Sequence, residues 1–271
     1  MKRYKFSPIR LLIVCFLAVF LLLFTCCSVK NTKYVGIISA MDNEISLLLD
    51  EMDIKRTDTH GGNKYYVGVL RDKDVIITKS GVGKIRSASS VTCLLENYSI
   101  KEVIFTGIAG GVRDDENVLD KIIATSLVEH DYGILSNEGF TWRGGDPGFG
   151  NEEGVVYYCD EALVKLAYEA ALSIISEDEK VLKGVVASGD QFIASEEYVK
   201  WLSQEFDAYA CEMEGASTAE VCTRYQIPFV VIRTLSDKAD GKAHESYADF
   251  GDKAADESCK IVLKMLESMN E

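Results

Sequence analysis

Short runs of β-branched and aromatic residues recur along this chain, each separated from the next by a helix-length stretch, and that alternation leaves few folds open. The runs are Tyr34 to Ser39 (YVGIIS), Glu102 to Thr106 (EVIFT), Lys121 to Leu127, Val181 to Ala187 and Phe229 to Thr234 (FVVIRT). Lys64 to Leu70 and Asp74 to Lys79 read as a hairpin, because Tyr65, Tyr66, Val67 and Val75, Ile76, Ile77 flank a charged turn. The intervening stretches predict helices over 43–52, 84–97, 162–175, 196–204, 214–225 and 254–268. Leu163, Leu166, Ala170 and Ile174, for example, fall on one helical face. Strands alternating with helices predict an α/β fold: a single domain over about 33–271, with a mixed, mostly parallel central sheet flanked by helices. Residues 133–154 hold seven glycines and little apolar content, and read as a long mobile loop.

The first residues are of another kind. Lys2, Arg3, Lys5 and Arg10 precede 14 uninterrupted apolar residues, Leu11 to Phe24, and the run ends in Thr25-Cys26-Cys27-Ser28. A basic start and an apolar stretch of this length have the proportions of a secretory signal, and are short for a membrane-spanning helix. A cysteine directly after such a stretch resembles a bacterial lipoprotein cleavage site. Residues 1–27 are thus expected to be an export segment, lipidated at Cys26 or Cys27 or retained as an uncleaved anchor. Either way the globular part is expected in the cell envelope, touching membrane only through this segment.

Charge narrows the partners. The whole chain carries −14, and the four bases of the first 27 residues leave about −18 on the rest. Nucleic-acid binders hold phosphates with clustered Lys and Arg, so this balance argues against that class. It leaves open a nucleoside, which has no phosphate. Five of the eight cysteines lie beyond the export segment, at 93, 159, 211, 222 and 259. Their number is odd, none forms C-x-x-C, and they read as buried small hydrophobes rather than as disulfides or a zinc site. His60, His130 and His244 are scattered, so no metal and no cofactor is expected. A serine hydrolase would need a G-x-S-x-G elbow, which is missing.

What remains is carboxylate chemistry at strand ends, where α/β sheets bind ligands. The strand ends carry Ala40-Met41-Asp42-Asn43-Glu44, Ser80-Gly81-Val82-Gly83-Lys84, Gly107-Ile108-Ala109-Gly110-Gly111, Ser188-Gly189-Asp190-Gln191-Phe192-Ile193, Glu212-Met213-Glu214-Gly215 and Leu235-Ser236-Asp237. Each alone also reads as an ordinary turn or helix cap. SGVGK lacks the full P-loop pattern, and Glu44, Glu212, Glu214 and Asp237 are all residues that helix starts favour.

In this order and spacing, GIISAMDNE, KSGVGK, TGIAGG, ASGDQFI, CEMEGAS and RTLSDKAD resemble the bacterial 5′-methylthioadenosine/S-adenosylhomocysteine nucleosidases, of the nucleoside phosphorylase superfamily. The resemblance spans about 33–268. It implies hydrolysis of an N-glycosidic bond, releasing adenine and a thioribose, in an enzyme that is a homodimer. It implies that Glu44 activates the attacking water and Asp237 protonates the purine N7. It implies that Glu214 accepts from the ribose hydroxyls, with Glu212 and Met213 beside it. Phe192 and Ile193 match the purine wall, Ser80 and Arg233 match polar groups near water and ribose, and Ser236 supports Asp237. Tyr247 falls where the family commonly has Phe, a departure that bears on the 5′ substituent.

The chemistry fits independently. An N-glycosidic bond breaks through an oxocarbenium-like state, so the base must leave neutral and a carboxylic acid must supply the proton. An Asp at this position accepts from an exocyclic amine while donating to N7, which favours adenine over an oxo-purine. The alternatives are a phosphorolytic enzyme of the same superfamily and an exported binding protein or adhesin on the same scaffold.

Overall fold

A computed structural model describes residues 32–143 and 155–269. The export segment and residues 144–154 lie outside the described residues. Residues Lys33–Glu271 form one compact unit.

The strands are β1 (Tyr34–Ser39), β2 (Asp53–His60), β3 (Asn63–Leu70), β4 (Lys73–Lys79), β5 (Ile100–Gly111), β6 (Lys121–Glu129), β7 (Gly133–Ser136), β8 (Gly139–Trp142), β9 (Tyr157–Tyr158), β10 (Val181–Ser188), β11 (Ala208–Glu212) and β12 (Phe229–Asp237). The helices are α1 (Asn43–Glu51), α2 (Lys84–Asn97), α3 (Glu161–Leu172), α4 (Glu196–Phe206), α5 (Gly215–Tyr225) and α6 (Ala243–Ser268). The main sheet runs β11-β10-β6-β12-β5-β1-β4-β3-β2. It is mixed, as expected: β1 pairs in parallel with β4 and β5, β5 with β12, and β10 with β6 and β11, while β12 meets β6 antiparallel.

One further pairing shapes the molecule. The end of β5, Gly110 and Gly111, pairs antiparallel with Cys211 and Ala210 of β11. Strands β5, β12, β6, β10 and β11 therefore close into a ring, and the remaining strands extend from it as an open sheet. Closure brings the carboxyl ends of β5, β11 and β12 together.

Helices cover the sheet because each has one apolar face. Helix α6 buries Ile261, Val262, Met265 and Leu266 against it, and the adjoining strands bury Ile37, Ile104, Phe105 and Ile232 completely. Each such side chain contributes about 1.5–3 kcal/mol, against about 0.2–1 kcal/mol for an exposed ion pair. The apolar core therefore outweighs surface pairs such as Lys165–Glu169 in holding the fold. Caps set the helix starts where the sequence offers them. Asp160 accepts from the amides of Ala162 and Leu163, and Ser195 from that of Tyr198.

Four expectations need correction. The supposed loop at 133–154 contains the β7–β8 hairpin, turned by Gly139 at φ +113° and anchored where Trp142 Nε1 donates to Glu129 O at 2.6 Å. Strand β2 (DIKRTDTH) escaped notice because it is an edge strand, mostly exposed, held by its backbone bonds to β3 and not by an apolar face. Strand β11 is only five residues long and sits between two helices. Helix α6 begins eleven residues earlier than position 254, at Ala243. Its first turns are largely polar, so no apolar face marks them in the sequence.

Candidate active site

A cavity of about 480 Å³ opens where the strand ends meet. Its walls are largely apolar, with carboxylates at two separate places.

Glu44, in the first turn of α1, forms one acidic centre. It is 1% exposed, and both its oxygens are held by backbone amides: Oε2 by Ala40 at 2.9 Å and Met41 at 2.8 Å, Oε1 by Ile108 at 2.9 Å. Burial pushes its pKa up, while Arg233 and these three amides pull it back. Arg233, on β12, is wholly buried. It forms an ion pair with Glu212, stands 3.6 Å from Glu214, and lies 4.6 Å over the Phe105 ring. Its Nη1 has no hydrogen-bond partner among the described residues. Arg233 pairs in register with Gly107 of β5, and a Cβ on Gly107 would overlap both Glu44 Oε1 and Arg233 Nη1. The glycine is required there for close approach, not for its backbone angle.

Glu212 and Glu214 sit at the turn from β11 into α5. The Glu212 carboxylate is fully engaged, accepting from Ser188 Oγ, Arg233, and the amides of Glu214 and Gly215. It touches the cavity but serves as Arg233's counter-ion. Glu214 accepts from Gly83 N at 2.9 Å through Oε1. Burial, then the charge of Glu212, raises its pKa, so it keeps a proton at higher pH than an ordinary glutamate.

Asp237 forms the other centre. It ends β12, where a register shift at Ser236 turns it into the cavity beside Gly110. Oδ1 accepts from Ala239 N at 2.7 Å and Oδ2 from Ser236 Oγ at 2.8 Å. Burial raises its pKa above the usual aspartate range. The two centres lie beside Gly107 and Gly110 of one strand, a separation of about 10 Å at about 3.3 Å per residue. Asp237, its pKa raised by burial, thus faces Glu44, whose pKa is also raised by burial but drawn back by a buried guanidinium, across one small-molecule length.

Of the residues singled out from sequence, Glu44, Phe192, Ile193, Glu212, Met213, Glu214, Ser236, Asp237 and Tyr247 line this cavity. Arg233 stands behind it. Ser80 does not reach it: its Oγ donates to Ser39 O and Gly81 O at 3.2 and 3.0 Å, fastening the end of β4 to β1. Sequence reasoning missed Met41, Val82, Ile108, Gln191 and His244, which also line it. The first four lie inside the motifs already noted, and only the helical start of α6 could have flagged His244, stacked 4.6 Å from Phe192. Tyr247 meets Phe192 edge-on and donates to Met41 Sδ at 3.6 Å.

The sequence of residues 34–267 matches the phosphorylase superfamily model, and the chain belongs to that superfamily. It is 37% identical, over 241 residues, to a 5′-methylthioadenosine/S-adenosylhomocysteine nucleosidase of Bacillus cereus strain B4264, covering 87% of this chain and 99% of that protein. The solved nucleosidase of the same name from Neisseria meningitidis, bound to methylthio-immucillin-A, superposes with a TM-score of 0.79 at 33% identity. The match covers 88% of this chain and 100% of that one. Futalosine hydrolase of Helicobacter pylori strain 26695 gives a TM-score of 0.76 at 35% identity, covering 88% and 99%. Within the superfamily, then, this chain stands among the nucleosidases, enzymes that hydrolyse N-glycosidic bonds.

Proposed function

We propose that this enzyme hydrolyses the N-glycosidic bond of 5′-methylthioadenosine and S-adenosylhomocysteine, releasing adenine and a thioribose. The observation that carries this reading is the placing of Asp237, whose pKa burial raises, across a single cavity from the Glu44–Arg233–Glu214 centre.

Asp237 donates its proton to the purine N7 as the C1′–N9 bond breaks, and the bonding pair leaves with the neutral base. Water adds to C1′ from the opposite side and loses a proton to Glu44, while Glu214 accepts from a ribose hydroxyl. The positive charge of Arg233 favours the ionised form of Glu44 that takes this proton. Phe192 and Ile193 wall the base.

Hydrolysis is favoured over phosphorolysis because, among the described residues, no lysine or arginine lines the cavity, and two acids stand where a phosphate would go. The test is adenine release from a nucleoside panel in phosphate-free buffer. Release should be undiminished without phosphate. Strict phosphate dependence would establish phosphorolysis instead, and no release from any nucleoside would favour a binding protein. Futalosine belongs in the panel, given the likeness to futalosine hydrolase.

The proposal extends to place and assembly. The N-terminal segment exports the enzyme as a lipoprotein, supported by Cys26 and Cys27 directly after the apolar run. Replacing both with Ser should abolish lipid labelling, and labelling that persists rejects this part. The enzyme forms a homodimer, consistent with Ile85, 82% exposed on the first turn of α2 close to the cavity residue Val82. A monomer in sedimentation at assay concentrations rejects that part.

A further inference from the structure

Two consecutive amides at the start of α2 reach two different walls of the cavity. Gly83 N holds Glu214, and Lys84 N donates to Asp190 Oδ1 at 2.7 Å. The Lys84 side chain then bends to Asp131, just past β6, where Nζ donates to Oδ1 at 2.6 Å. Glu129 Oε2 is 3.9 Å away. The other oxygen of Asp131 accepts from Asp190 N at 2.8 Å. Lys84, Asp131 and Asp190 therefore form a closed circuit of three hydrogen bonds joining α2, β6 and the segment after β10.

Asp190 begins the stretch that carries Gln191, Phe192 and Ile193 into the cavity. This stretch is neither helix nor strand. It is fastened at one end by Gly189 N on Glu212 O at 3.0 Å and at the other by Ser195 N on Ala239 O at 2.9 Å. Between those ends its fixed point is Asp190. Lys84 and Asp131 have side chains only 16% and 17% exposed, so water screens their attraction less than it would on the surface. Lys84 is also the cation that meets three acids: Glu129, Asp131 and Asp190. Without it these carboxylates repel one another, and Asp190 is the one on an unstructured segment.

We propose that Lys84 is a positioning residue for substrate binding, which through Asp131 and Asp190 locks the base wall at 190–193 to the ribose wall at Glu214. The inference rests on the reading that this cavity takes a nucleoside. The SGVGK segment, which alone reads as a plain turn, becomes the joint between the two halves of the site.

The test compares the full-length enzyme with Lys84→Met and Lys84→Arg. Amide exchange of residues 188–194 should quicken by roughly tenfold or more in Lys84→Met, with exchange in β1 and β5 unchanged. The KM for methylthioadenosine should rise about tenfold while kcat stays within about threefold, since ordering of the base wall is a binding term. Lys84→Arg, which keeps the charge, should recover most of both. Unchanged exchange and unchanged KM in Lys84→Met overturn the proposal, as does a fall in kcat at constant KM. If Lys84→Met does not fold, Asp131→Asn is measured in its place, with the same outcomes deciding. If the wild type cleaves no nucleoside, the nucleosidase reading fails by itself, and the exchange of 188–194 decides the lock independently.

Discussion

Asp237→Asn should lower kcat by about 10²-fold or more on adenine nucleosides while leaving KM nearly unchanged. The amide fits the existing partners: its oxygen accepts from Ala239 N and its nitrogen meets Ser236 Oγ, so the turn keeps its shape. It still accepts from an exocyclic amine, but it has no proton to give. The pH profile sharpens the test. Burial raises the pKa of Asp237, so the acid form persists above the ordinary aspartate range and is lost as pH rises through the shifted value. Wild-type kcat/KM should therefore carry an alkaline limb that Asp237→Asn lacks. A nitrophenyl thioriboside, whose leaving group needs no N7 proton, should restore turnover to Asp237→Asn but not to Glu44→Gln. A loss confined to KM would make Asp237 a recognition residue, and equal damage to both variants on the activated substrate would reject the division of labour.

Gly107→Ala should cost about as much, through one methyl group. The added Cβ lies where Glu44 Oε1 and Arg233 Nη1 already are. Neither can step aside easily: three amides hold Glu44, and Arg233 is buried beneath Glu212 and Glu214. Overpacking of this kind costs about 1–3 kcal/mol, and the part that moves is the carboxylate proposed to activate water. A drop in kcat of about 10²-fold or more, with a lower Tm, is the expected result. Gly241→Ala is the control, since a Cβ at Gly241 meets nothing within 4 Å. Turnover near wild type in Gly107→Ala would mean that the close approach of β5 does not set the geometry of Glu44.

The legibility of this molecule in its sequence divides along physical lines. Strands that bury both faces, such as YVGIIS and FVVIRT, announce themselves by continuous apolar runs. Strand β2, held by backbone bonds with no apolar face, leaves no such mark, and β11, though buried, is only five residues long between two helices. The acids were legible because a carboxylate at a strand end stands out against apolar neighbours. Ser80 was drawn in by its neighbourhood in KSGVGK, yet its hydroxyl is spent on Ser39 O and Gly81 O. Met41, Val82 and Ile108 look like any core residue in one dimension, and only the assembled cavity separates lining from filling. Arg233 sits inside an apolar run, and nothing in that run tells that its charge is answered by Glu212 from another strand.

The closed ring of five strands ties function to pairings that lie far apart in the chain. The pairing that closes it joins Gly110 and Gly111 to Cys211 and Ala210, about one hundred residues further along the chain. Contacts this distant, the still longer β5–β12 pairing among them, bring a loop-closure cost that local hairpins and helices do not. Both acidic centres hang on that seam, because Arg233 and Asp237 lie in register with Gly107 and Gly110 while Glu212 ends the closing strand. A chain with every helix in place and the seam still open holds its acids apart and has no chemistry to perform. Catalytic competence therefore depends on closure of the ring and not on the helices alone.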